Sequence, residues 1–264
     1  MSQALERYLA AAEEAAREAG RLLLSALHDA DRKIEYKGEF DLVTEMDRRA
    51  EEMIKAFLIH RFPHIAVLAE EGGATGDYSG MRWIIDPLDG TTSYAHRLPH
   101  FCVSIALEVE GSPRLGVVYN PCLDECFTAL QGEGARLNGR PIRVSQVERV
   151  SQGLMATGFP YDREGSGEKI MRPFGAFFLK AQGIRRMGSA ALDLCYVAAG
   201  RFDGFWEVKL KPWDTAAGVV ILREAGGEVT DFSGEAFSIY GESLLASNSL
   251  LHDEMMTILR GAQQ

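Results

Sequence analysis

No apolar run in this chain of 264 residues reaches the roughly 18 residues that a membrane-spanning helix requires, so no membrane partner is expected. Cysteine is scarce: Cys102, Cys122, Cys126 and Cys195 form no C-x-x-C pair and stand in no zinc-like spacing with histidine. Reduced thiols in a cytoplasmic protein are the expectation that follows. The opening segment MSQALERYLAAAEEAAREAG has acidic residues early and no basic start followed by an apolar stretch, so no signal peptide is expected. Positive charge is also in short supply, with 28 Lys and Arg against 38 Asp and Glu and a formal net charge of −10. Direct nucleic-acid binding is therefore not expected, because Lys and Arg at phosphates supply most of that affinity. A small phosphorylated ligand stays compatible, since bound divalent cations reverse the local sign of a carboxylate-rich pocket. Low-complexity segments, long linkers, internal repeats, a serine nucleophile elbow and a Walker loop are all missing.

Hydrophobic content of 46% and charged content of 25% are those of an ordinary globular protein, and the length suffices for one large domain or two that share a core. Leu5, Leu9, Ala12, Ala16, Leu23 and Leu27 recur at near-helical spacing and predict a helix over 3–27. A polar break, HDADRKIEYKGEFD, follows. A second helix is expected from LVTEMDRRAEEMIKAFLIHRF, with Thr44 as N-cap and Asp47 three residues on in a capping-box-like pair. IAVLAEEGG and RWIID read as strands, then CVSIALEVEG, RLGVVYNP, ECFTALQ and ARLNGRPIRVS as further strands between Gly, Pro and Asn turns. The second half alternates between strands (GLMATGF, GIRRM, FDGFWEV, GEVTDF, SLLASN) and helices (169–181, SAALDLCYVAAG, DTAAGVVILREAG, LLHDEMMTILRG). The pattern predicts layered helices and sheets in one domain over 1–264. Candidate subdomains are 1–150, helices plus antiparallel sheet, and 151–264, α/β with a second sheet.

The candidate chemistry lies in carboxylates at element ends. Asp86 and Asp89 flank Pro87-Leu88 and precede Gly90-Thr91-Thr92. As a bare pattern this is a turn, since Pro and Asp-Gly are strong turn formers. Glu70 and Glu71 in LAEEGG also stand at a strand end. Two such ends side by side would bring like charges together, which raises pKa values and opposes folding unless a cation intervenes. Clustered hard oxygens are what Mg²⁺ uses, with water and substrate phosphate completing its shell. Asp214, after Pro-Trp and before a helical run, reads as an N-cap, and a cap uses only one of its oxygens. Glu207 ends an apolar strand, either as a surface charge or as an acceptor for substrate hydroxyls. The successive amides at Gly90, Thr91 and Thr92 could form an anion nest. GEGARLNG lies between strands and reads as a hairpin turn, not a nucleotide loop. His96 and His100 have i, i+4 spacing, but Pro99 between them argues against a helical metal pair.

These pieces match a known pattern. WIIDPLDGTTSY resembles the first signature of the inositol monophosphatase family and PWDTAAGVVILREAGG its second. DLVTEMD, LAEEGG, HFCVSIALEVEG, LNGRPIRVS and GSAALDLCYVAAGRFDGFWE fall in family order between about residues 37 and 230, most similar to the bacterial inositol-1-monophosphatase branch. The resemblance implies the layered αβαβα sandwich shared with fructose-1,6-bisphosphatases, usually as a homodimer. It implies that Glu70, Asp86, the Leu88 carbonyl, Asp89 and Asp214 bind two or three Mg²⁺ ions, with Asp86 bridging. Gly90 and Thr91 would hold the phosphate, and Glu70 and Thr91, the latter paired with Asp47, would serve catalysis by orienting the attacking water. Glu207, Asp214 and the Gly188-Ser189-Ala190 segment would bind substrate, and Li⁺ would inhibit. Ser93 stands where many members carry Asn, which makes the 92–100 stretch a candidate for substrate choice. Lys37 falls one residue closer to the DLVT segment than the family pattern has it.

The expected reaction is Mg²⁺-dependent hydrolysis of a small polyol phosphate, inositol 1-phosphate to inositol and phosphate, with no covalent intermediate. The same metal motifs serve fructose-1,6-bisphosphatases, histidinol-phosphate phosphatases and 3′-phosphoadenosine-5′-phosphate phosphatases. A regulatory binding protein of the transcription machinery that retains the fold is the rival from another class. No basic cluster at 160–190 suggests a second phosphate pocket, although Arg172, Lys180, Arg185 and Arg186 lie in or beside it.

Overall fold

A computed structural model describes residues 2–27, 34–36, 42–160 and 167–263. Alanine sets how closely its first helix packs: α1 (Ser2–Ala26) buries Ala11, Ala12, Ala15, Ala16, Ala19 and Leu23 along one face. In the segment expected to be a polar break, β1 (Ile34–Tyr36) pairs antiparallel with β2 (Leu42–Thr44). Two three-residue strands with no run of alternation carry too little pattern to be read from sequence. Lys37 and Asp41 lie outside the described residues. The second helix starts after the LVT segment: α2 (Glu45–Arg61) has Thr44 as N-cap, and the expected capping box with Asp47 is formed.

An eight-stranded sheet follows, built from β3 (Ala66–Ala69), β4 (Gly73–Thr75), β5 (Met81–Asp89), β6 (Cys102–Val109), β7 (Ser112–Asn120), β8 (Glu125–Leu130), β9 (Ala135–Leu137) and β10 (Arg140–Pro141). Its order is β10-β9-β8-β7-β6-β5-β3-β4, antiparallel throughout except where β3 runs parallel to β5. One short helix, α3 (Thr91–Ala95), interrupts the run between β5 and β6. ARLNGRPIRVS, read as a single strand, is a hairpin, because Asn138 at positive φ and Gly139 turn the chain between β9 and β10.

The second sheet takes β11 (Leu154–Thr157), β12 (Gly183–Arg185), β13 (Gly204–Val208), β14 (Glu228–Thr230) and β15 (Ser243–Ser247) in the order β12-β11-β13-β15-β14. Between these strands run α4 (Gly167–Phe178), α5 (Ala190–Ala198) and α6 (Pro212–Glu224), and α7 (His252–Gln263) closes the described chain.

Period-2 alternation on the strands assigns each face to a different layer. Trp83, Ile85, Val103, Ile105 and Val117 join α1 and α2 in one core, whereas Ile84, Cys102, Ala106, Val118 and Phe127 face α5 and α6. On the second sheet Ala156, Phe205, Leu244 and Ala246 meet α5 and α6 from the other side, while Met155, Trp206 and Leu245 pack with Phe177 of α4 and with Met255 and Leu259 of α7. The layers are therefore helix, sheet, helix, sheet, helix, the expected αβαβα sandwich. α5 and α6 share one core with both sheets. Among the described residues no helix is long and apolar enough to cross a membrane.

Candidate active site

Residues three apart on a regular strand face opposite sides of the sheet, so Asp86 and Asp89 should diverge. A bulge prevents this. Asp86 pairs with Ser104 and Asp89 with Cys102, so β5 advances three residues while β6 advances two. Pro87, which has no N–H to give the ladder, lies in the bulge. Both carboxylates consequently line one cavity of about 510 Å³. Leu88 N donates to Asp86 Oδ1 at 3.0 Å. Gly90 then turns the chain at φ +98, where a Cβ would lie 2.9 Å from the His100 carbonyl oxygen, so a side chain is excluded on both counts.

Thr91 follows, 8% exposed, and its hydroxyl has two acceptors within reach: Asp47 Oδ1 at 3.1 Å and the Leu88 carbonyl at 3.0 Å. Asp47 is held from its other oxygen, Oδ2, by Thr44 N at 2.8 Å and Thr44 Oγ1 at 2.6 Å. Burial pushes the Asp47 carboxyl up to about 6 despite these donors. Asp47 is not in the cavity wall and reaches it through Thr91.

Asp89 is fixed from the opposite side of the cleft. Its Oδ2 accepts from Ser189 Oγ at 2.7 Å and Ala191 N at 2.8 Å, at the start of α5, while Ser189 also caps that helix through Leu192 N. Burial raises Asp89 to about 6, with those donors pulling the other way. Asp86 is raised well above the carboxylate range by burial, then by the charges of Glu70, Asp89 and Asp214. Asp214 is raised likewise, first by burial and then by Asp89. It is not the N-cap expected for the last signature. Proline at the first helical position lets α6 begin at Pro212, so Asp214 falls at the third position, where its Oδ2 accepts from Lys211 N at 2.7 Å.

The cavity wall unites Glu70, Asp86, Leu88, Asp89, Gly90, Thr91, Gly188, Ser189, Ala190, Glu207 and Asp214, which is every expected site residue except Asp47. Burial lifts Glu207 to about 8; Arg186 opposes the rise and Asp89 adds to it. No residue from 92 to 100 contributes to the wall. Ser93 is buried, and Tyr94 donates its hydroxyl to the Leu23 carbonyl at 2.9 Å, so the stretch reaches back into the α1 layer. His96 is exposed, and the half-buried His100 ring, lowered to about 4 by desolvation, is also outside the wall. Cys102 lies beneath the site, 3.9 Å from Asp89 Oδ2. Three cations that sequence reasoning did not gather, Arg186, Lys209 and Lys211, line the wall, as does Asp193. From sequence, Arg186 counts only toward a possible second phosphate pocket, Lys209 and Lys211 lie between elements read for their apolar pattern, and Asp193 sits inside a helix read as core.

Among the described residues no three Asp, Glu, His or Cys side chains form a closed clasp for an ion. The donor set still fits Mg²⁺, which keeps several waters and takes few carboxylates plus substrate oxygens. The four carboxylates of Glu70, Asp86, Asp89 and Asp214 share that wall, and Asp86 and Asp214 are held high first by burial and then by neighbouring carboxylates, Glu70 and Asp89 among them.

The inositol monophosphatase family profile matches residues 4–264. The chain is 44% identical over 262 residues to an inositol-1-monophosphatase of Synechocystis, covering 98% of this chain and 91% of that one. It is 43% identical over 236 residues to the Nus factor SuhB of Vibrio cholerae, covering 89% and 88%. The structure of inositol monophosphatase from Anabaena (Nostoc) superimposes with a TM-score of 0.89 at 41% identity, over 97% of this chain and 96% of that one.

Proposed function

Since the chain belongs to the inositol monophosphatase family, we propose that it is a Mg²⁺-dependent phosphatase of small polyol phosphates, with inositol 1-phosphate as preferred substrate, acting as one catalytic domain over 1–264. The observation that carries this reading is the meeting of Glu70, Asp86, Asp89 and Asp214, from three separated segments, in one cavity, where their charges oppose one another. Glu70, Asp86, the Leu88 carbonyl, Asp89 and Asp214 would hold two or three Mg²⁺ ions. When bound, these supply positive charge and Lewis acidity toward a phosphate monoester.

The chain's own groups do the rest. The Thr91 hydroxyl has one proton and two acceptors. Engaging the Leu88 carbonyl elsewhere commits that proton to Asp47, which leaves the Thr91 lone pairs free to accept from a water aimed at phosphorus, with Glu70 beside it. The Gly90 and Thr91 amides face the phosphate oxygens. Ser189 and Ala191 keep Asp89 from swinging, a positioning role. Glu207, beside Gly188-Ser189-Ala190, accepts from the hydroxyls of the leaving alcohol. The products are that alcohol and inorganic phosphate.

Met171, Phe178 and Leu179 are exposed apolar side chains on α4 and just past its end, which supports a homodimer, to be checked by light scattering. A role in a transcription complex is the second reading, supported by the name of the Vibrio relative. The deciding experiment is a substrate panel of inositol 1-phosphate, fructose 1,6-bisphosphate, histidinol phosphate and 3′-phosphoadenosine 5′-phosphate, with and without Mg²⁺ and Li⁺. Phosphate release that is fastest from inositol 1-phosphate, needs Mg²⁺ and falls with Li⁺ is expected. No release from any of the four would refute the phosphatase reading and leave the second one standing.

A further inference from the structure

α5 is apolar from end to end, AALDLCYVA, except for Asp193. That residue is 1% exposed, yet it lines the cavity. Its Oδ1 is fully buried and has no hydrogen-bond partner among the described residues. Capping does not explain it, because Ser189 already caps the helix and Asp193 N makes the ordinary bond to the Ser189 carbonyl. A buried carboxylate oxygen without a donor opposes folding, and an alanine or leucine would suit the core better.

The surroundings indicate what such an oxygen is for. After burial, the largest influence on Asp193 is the charge of Glu207, then that of Asp89, with the Arg186 cation opposing both. Glu207 in turn lies so close over Gly158 that a Cβ there would overlap its carboxylate, so the absence of a side chain at 158 leaves the room that Glu207 occupies in the cavity wall. The Arg186 guanidinium sits over the Phe159 ring, 5.8 Å from its centroid, at the same wall. Two carboxylates and one cation thus share the wall of the cavity. That is the chemistry that grips an alcohol with several hydroxyls: acceptors for O–H protons and one donor for an oxygen lone pair.

We infer that Asp193 is a specificity-determining residue, which with Glu207 accepts hydrogen bonds from two hydroxyls of the leaving alcohol. This rests on the polyol-phosphatase reading. A leaving group without hydroxyls leaves Asp193 Oδ1 unpaired, and sites built around a buried polar group discriminate strongly against ligands that cannot satisfy it.

The test compares wild type with Asp193→Ala and Asp193→Asn, with Mg²⁺ present, on inositol 1-phosphate and on 4-nitrophenyl phosphate, whose leaving group offers no aliphatic hydroxyl. The ratio of kcat/KM for the two substrates should fall at least tenfold in Asp193→Ala, through KM for inositol 1-phosphate. Saturation-transfer NMR of free inositol should show the wild-type signal lost in the same variant. Equal losses on both substrates, or an unchanged ratio, would overturn the inference, as would absence of an inositol signal from the wild type. Asp193→Asn, which keeps one acceptor oxygen, should retain most of the ratio and of the inositol signal; if Asp193→Ala does not fold, Asp193→Leu, which also lacks an acceptor, gives the reading expected of Asp193→Ala. A wild type that binds inositol but hydrolyses neither phosphate refutes the phosphatase reading alone, and the variant's inositol signal then still decides the role of Asp193.

Discussion

Replacing Glu207 by Gln should stabilise the metal-free protein at alkaline pH, although it removes a site residue. Burial raises the Glu207 carboxyl from 4.5 to about 8, with Arg186 pulling down and Asp89 pushing up. The folded state therefore holds this proton more tightly than the unfolded chain does. Its contribution to stability is complete below about pH 4.5 and is lost as pH rises through 8. At 1.36 kcal/mol per tenfold, that interval corresponds to about 5 kcal/mol. The side chain is only half-buried and lines an open cavity, so screening reduces the effect to roughly 2 kcal/mol. For a chain of this size that corresponds to about 4–8 °C in Tm. Gln carries no charge at any pH, so Glu207→Gln and wild type should melt together near pH 5 in chelator, with the variant higher by that margin at pH 9. A gap that is the same at both pH values would refute the argument that an ionising Glu207 is buried against its neighbours.

Asp89→Asn and Asp214→Asn should each abolish Mg²⁺-dependent phosphate release while far-UV circular dichroism stays native. Asn keeps an oxygen for Ser189, Ala191 or Lys211, so near-wild-type turnover would remove either residue from the proposed metal set. Thr91→Val should lower kcat by about 100-fold or more, with Thr91→Ser restoring most of it; equal rates for Val and Ser would show that the hydroxyl takes no part. Mg²⁺ at about 100 times its Kd should stabilise the fold by roughly 2.7 kcal/mol in thermal melts, and an unshifted Tm would count against a metal site.

Local physics was readable from sequence, and long-range geometry was not. The Thr44–Asp47 box, the helix start near the PWD signature and the two-faced strands depend on neighbours within a few residues, so propensity and spacing suffice. The bulge at Pro87-Leu88 does not announce itself. The same letters in an unbroken strand would send Asp86 and Asp89 to opposite faces, and only the pairing with Ser104 and Cys102 reveals that they converge. Asp193 was lost for the opposite reason: eight apolar neighbours made its helix read as core, which it is on every side but one. The stretch after Thr92 is a candidate for substrate choice because Ser93 departs from the family pattern beside the site, yet none of its residues reaches the cavity wall. Tyr94 instead anchors it to α1 by a bond spanning 71 positions, and no sequence window covers such a distance.

A single device reconciles the structural and chemical readings of the acidic residues. Carboxylates that repel one another must be restrained, or side-chain rotation would carry them apart. Asp86 uses Oδ1 for Leu88 N, Asp89 uses Oδ2 for Ser189 and Ala191, and Asp214 uses Oδ2 for Lys211 N. All of these donors are backbone amides except the Ser189 hydroxyl, and all come from the bulge or from helix starts, where amides lack partners of their own. One oxygen of each residue thus completes the local fold, and on the proposed reading the other faces an ion. Turn, cap and ligand are then not competing descriptions of these residues. The motif keeps its spacing because the backbone that needs an acceptor is the same backbone that aims the remaining oxygen.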